Sequence, residues 1–179
     1  MTLIIGVRCR NGCLVIADRR CHVTTAGIRT FEDNFTKAVH HGDYIVYNHG
    51  YNQIGEADWK LRVNELSPDP ASPIYAEVLS EMAAKPDQHA AYVFMNKTTL
   101  LEISIRVGAG IRLTDHMPMD RIVSGDGDKY VRLTLLADLP QAPCRVVRPK
   151  LVSTFQAAHA RMRRAAGTEF SETYEVLRI

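Results

Sequence analysis

No apolar stretch in the sequence approaches the ~18 residues that a membrane-spanning helix needs, and no charged leader precedes an apolar signal segment. A cytoplasmic protein without membrane contact is therefore expected. Charge of one sign is not in excess either: 22 Lys and Arg stand against 20 Asp and Glu, and a net +2 gives nucleic acid no general hold. The four cysteines, Cys9, Cys13, Cys21 and Cys144, form neither a CxxC nor a paired zinc spacing. Three lie in or beside the first strands, where a thiol serves as a small apolar core residue, with metal or redox chemistry as the alternative. His40, His41 and His49 match no helical metal pair and lack acidic company, so neither a metal nor a cofactor is expected. There is no internal repeat and no low-complexity tract. A chain of 179 residues can bury a substantial core as one domain, residues 1–179.

What is present begins with MTLIIGVRCRNGCLVIADRR. Two runs rich in Ile, Val, Leu and Cys flank Asn11-Gly12, a pair that tolerates the positive φ angles of a two-residue hairpin turn, so Cys13 is expected opposite Arg10. Both faces of each strand are apolar, which implies a sheet covered on its two sides. Thr2 then opens a buried strand. If Met1 is removed, a free amine and a hydroxyl sit together on one residue, a base beside a nucleophile.

Further along, a polar loop is expected through residues 30–33, then strands near 35–39 and 44–48. Ile54, Ala57 and Leu61 recur at helical spacing over 53–66, and Ile74, Val78 and Met82 do so after Ser72-Pro73. Strands follow at 90–95, 100–105, 111–113 and 121–123. The Ser124-Gly125-Asp126-Gly127-Asp128 turn leads into an expected helix over 129–136, with Asp126 or Asp128 able to cap it. A helix after Pro149 and a strand over 174–179 close the chain. Strands, two helices, strands, two helices and a strand suit an α+β fold of two sheets between helical layers, a four-layer αββα sandwich.

Thr2, Gly6, the segment Ile16–Arg20, Lys37, the turn 124–127 and the closing strand, in that order, resemble the proteasome β-subunit group of N-terminal nucleophile hydrolases, including its stand-alone bacterial homologues. The resemblance implies a threonine peptidase. Thr2 would be the nucleophile and its freed amine the base; Lys37 would favour the alkoxide, and Asp18 would hold the lysine. It further implies an oxyanion amide at Asn48 or Gly50 and a substrate-aligning threonine, here displaced to Thr24. Asp126 stands where the family carries serine, either as a supporting residue or as a helix cap. Ser171, three residues after Thr168, would support the nucleophile from the last loop. Lys37→Ala is expected to remove reactivity and leave the fold intact.

The partners implied are a homo-oligomeric ring and a peptide or unfolded-protein substrate; the resemblance leaves open whether an ATPase partner exists. The helical segments 54–66 and 74–82, with Trp59 and Val63 off the main stripe, are expected at the subunit interface. Two other functions share the sequence. The acyl-enzyme could be resolved by an amine, giving a protein ligase or transamidase, or the chain could be a non-catalytic ring scaffold. Arg161, Arg163 and Arg164 suit an acidic partner or a solvated helical end.

Overall fold

The computed structural model describes residues 2–25, 28–55, 57–85, 87–131, 142–166 and 173–179, without the side chains of 22–29 and 166. The chain forms two compact units, one from residues 1–38 with 120–179 and one from residues 39–119.

In the first unit, β1 (Ile4–Cys9) and β2 (Gly12–Asp18) form the opening hairpin, and the antiparallel order is β12-β1-β2-β13, with β12 at Arg121–Ser124 and β13 at Tyr174–Arg178. All seven residues of β2 are buried, as the two-sided apolar pattern predicts. One face carries Leu3, Ile5, Val7, Leu14 and Ile16 against Val147, Leu151, Phe155, Ala158 and Met162 of helix α2 (Cys144–Ala166). Residues of the alternate parity, Ile4, Val15 and Ala17, are equally inaccessible. Cys9, Cys13 and Cys144 are buried free thiols, and burial pushes Cys13 up to about 12, so they act as packing groups. The expected helix after Pro149 starts five residues earlier and runs through that proline.

The hairpin turn also differs from expectation. Cys9 pairs with Gly12 and Arg8 with Cys13, so the turn residues are Arg10 and Asn11. Tertiary contacts fix this register. The Asn11 side chain accepts the Cys144 N–H at 2.8 Å, at the start of α2, and a Cβ on Gly12 would lie 1.9 Å from the carbonyl oxygen of Ile179. Residues 30–32 are strand, not loop, and Asp33 turns: β3 (Cys21–Thr25) and β4 (Ile28–Glu32) pair as a hairpin.

In the second unit, the strand order is β11-β10-β9-β6-β5, built from β5 (Ala38–His41), β6 (Tyr44–Gly50), β9 (His89–Met95), β10 (Leu100–Arg106) and β11 (Gly110–Asp115). Helix α1 (Pro73–Met82) packs against it through Ile74, Tyr75, Val78 and Met82. The helix expected over 53–66 is absent. Instead β7 (Gln53–Ile54) pairs with β8 (Ala57–Asp58), and a 3-10 segment follows over Trp59–Glu65. A glycine inside the apolar period allows the reversal at residue 55. The Asp58 carboxylate then caps Lys60 at 3.0 Å, and Arg62 leaves helical dihedrals at φ −113°, ψ 16°. Trp59 is fully buried against Tyr92, so it is not spare surface for a subunit contact. The helix expected over 129–136 is a 3-10 turn at Asp128–Tyr130, and the rest of that span lies outside the described residues.

Candidate active site

The first unit brings Thr2, Asp18, Lys37 and the turn 124–127 together. Asp18 ends β2 opposite Leu3 and would by strand parity point away from Thr2. The register runs without a bulge, and it is Lys37 that bridges the two residues. Its Nζ lies 2.9 Å from each Asp18 carboxylate oxygen and donates to Thr2 Oγ1 at 3.1 Å. Asp18 Oδ1 also accepts the Leu3 N–H at 2.7 Å, and Oδ2 accepts the Arg20 N–H at 3.2 Å. Each carboxylate oxygen is thus satisfied by the lysine and by one backbone amide.

Lys37 is 4% exposed and Asp18 is fully buried. A paired charge in such a place is not a solvated surface lysine. Deleting one member leaves its partner uncompensated, so the expectation that Lys37→Ala spares the fold is corrected. The pair fixes an ammonium against a hydroxyl, which favours the ionised oxygen over the neutral one.

The 124–127 turn acts on Thr2 through its backbone. Gly125 has φ +89°, and a Cβ there would meet the Thr2 carbonyl oxygen at 2.3 Å. The Gly127 N–H donates to that same oxygen at 3.1 Å. Thr2 is therefore held by the turn on one side, while the amide that follows it is held by Asp18. The Asp126 side chain is exposed, and the 3-10 turn after it begins at Gly127 without a side-chain cap. Asp128 instead accepts the N–H of Lys129.

One contributor was missed at the sequence level. Glu175 Oε1, on β13, accepts the backbone N–H of Lys37 at 2.7 Å and of Ala38 at 3.1 Å. It thereby fixes the segment that carries the lysine. Burial raises its carboxyl above the usual carboxylate range, against the pull of these two amides. The available signal was an acid sharing one strand face with Leu177.

Thr24 pairs with Arg29 in the β3–β4 hairpin. Asn48 and Gly50 belong to β6 of the second unit. The Asn48 amide donates to the carbonyls of Tyr51 at 3.1 Å and Ala91 at 3.3 Å, which explains its burial structurally. Gly50 approaches the backbone of His89 so closely that a Cβ would lie 2.1 Å from its carbonyl oxygen. Ser171 lies outside the described residues. No group of three or more His, Cys, Asp or Glu suited to a metal occurs among the described residues, nor does a helix long and apolar enough to cross a membrane.

No protein-family model and no curated protein matches this sequence. Solved structures do match, and they define the class: the fold is α+β and proteasome-subunit-like. The Anbu complex from Pseudomonas aeruginosa, solved as a helical assembly, matches with TM-score 0.63 and 13% identity over 99% of this chain and 81% of that one. Anbu, the ancestral β-subunit, from Yersinia bercovieri matches with TM-score 0.60 and 10% identity over 99% and 81%. The Thiobacillus denitrificans BPH in complex with epoxomicin matches with TM-score 0.52 and 14% identity over 99% and 98%.

Proposed function

We propose that the chain, acting as one domain, is a threonine-type amide hydrolase: a cytoplasmic peptidase subunit of a homo-oligomer, with Thr2 as its nucleophile. The carrying observation is the buried Lys37, which places its ammonium on Thr2 Oγ1 at 3.1 Å while both oxygens of Asp18 hold it at 2.9 Å. A structural ion pair alone would not need its third donor direction spent on a half-buried hydroxyl at a strand end.

In this reading, removal of Met1 frees the Thr2 amine. Oγ1 attacks a substrate carbonyl carbon and passes its proton to the amine, which delivers it to the departing amine nitrogen as the C–N bond breaks. The resulting ester is cleaved by water, releasing a carboxylate and restoring the hydroxyl. Lys37 lowers the cost of the developing alkoxide through its contact with Oγ1, and Asp18 holds it in place. Thr24 would align substrate, and Asp126 and Ser171 would support the nucleophile.

Two measurements test this. Intact mass of the native protein should show loss of one methionine. A peptide epoxyketone should add covalently to Thr2, and Thr2→Ala should abolish the adduct. Labelling that survives Thr2→Ala, or an N-terminus that keeps Met1, would reject the assignment. Spliced products in preference to cleaved ones, with an excess peptide amine present, would select the transamidase.

A further inference from the structure

Charge is balanced over the whole chain but not along it. Residues 53–82 carry six acidic residues and two basic ones, while residues 142–166 carry five arginines, one lysine and no acid. On the acidic stretch, Leu61 projects from the 3-10 segment with 80% of its surface exposed. Near it in sequence stand Asp58 and the Arg62 cluster, where one guanidinium contacts both Glu65 and Glu77 and leaves the group net negative. Asp58 is bridged to Lys60 at 3.2 Å, and the stretch still keeps a net negative charge beside an apolar side chain left open to solvent.

The basic stretch offers the complement. Leu14, Cys144 and Val176 floor a groove of about 240 Å³, rimmed by Arg145 and Arg148 of α2 and Arg178 of β13. All three arginines are exposed, and among the described residues none makes a salt bridge or a hydrogen bond. Three unpaired guanidiniums around apolar atoms repel one another unless carboxylates come between them.

We infer that the groove of one copy takes the Leu61 segment of a second copy, with Arg145, Arg148 and Arg178 meeting the carboxylates around that leucine. The contact joins two different surfaces and is therefore heterologous. Each joined pair keeps one free groove and one free leucine, so association continues past the dimer. The inference rests on the homo-oligomer in the proposed function and names its surface. It also moves the interface: half of it comes from α2 and β13, and α1 is not its centre.

The test uses the full chain, with sedimentation and light scattering at micromolar concentration. Leu61→Asp and Arg145→Glu/Arg148→Glu each alter exposed positions, so circular dichroism should match wild type, and each protein alone should sediment as a monomer. Mixed one to one, they should form a heterodimer and nothing larger, because only the intact groove of the first and the intact leucine of the second can join. Salt raised from about 50 mM to about 500 mM should dissociate the wild-type assembly as screening shortens to a few ångströms. Wild-type assembly with both variants unaffected, or with only one of them disrupted, overturns this interface while leaving the oligomer standing. A monomeric wild type rejects the oligomer itself, and an interface of this kind with it.

Discussion

Lys37→Met keeps most of the stem's volume and deletes the charge that sits 2.9 Å from both oxygens of a fully buried Asp18. Unit charges about 3 Å apart attract by roughly 6 kcal/mol at an effective dielectric constant of 20. The cost of taking both out of water offsets much of that, so the intact pair adds little to stability. Removing one member is different, because Asp18 then stays buried with only the N–H groups of Leu3 and Arg20 as partners. The expected loss is about 3–5 kcal/mol, nearer the lower figure because those two amides remain. For a chain of this length that lowers the melting temperature by roughly 6–12 °C. Thermal and urea unfolding of Lys37→Met, Asp18→Asn and the double variant check it. Each single variant should be destabilised, and the double variant should recover most of the loss while remaining unreactive to a peptide epoxyketone. A single-variant loss below about 1 kcal/mol would put the pair among solvent-screened surface bridges and refute the account.

Gly125→Ala should cost about 1–3 kcal/mol from its positive φ and should displace Thr2, whose carbonyl oxygen lies 2.3 Å from the new Cβ. Epoxyketone labelling should then fall about 100-fold, the scale of an ångström's misplacement; Gly42→Ala, with open space around it, should leave labelling unchanged, and equal labelling by both variants would reject the turn's role. For Glu175 the folded carboxyl is raised by burial above its ordinary value of 4.5. A raised acid contributes stability that is fully present below the unfolded value and lost as pH rises through the folded one. Wild type should therefore lose stability relative to Glu175→Gln as pH climbs from about 4.5, since glutamine keeps an acceptor for the N–H groups of Lys37 and Ala38 without the buried charge; a gain over the same window would show that the two amides outweigh burial.

The strands over 90–95, 100–105 and 174–179 were legible because β-branched and aromatic runs bounded by turn residues need no partner to be recognised. The first helix of unit two, at Pro73–Met82, was legible from its proline start and its 3.6-residue stripe. Helical spacing over 53–66 misled, because the same apolar positions serve a β-turn-β and a 3-10 segment once Trp59 is drawn under Tyr92. At the site, Thr2, Asp18 and Lys37 are legible as a series along the chain, but that order does not encode their contact. By itself the sequence determined the strand-rich opening and the balance of charge, since these follow from composition and short-range periodicity. Tertiary structure alone decided the hairpin register, set by Asn11 on α2 and by Gly12 against Ile179. It also decided that Lys37 reaches across from Asp18 to Thr2, and that Glu175 anchors the lysine's backbone from 138 residues away. Contacts at that separation depend on which strands become neighbours, and no local pattern in the chain encodes that choice.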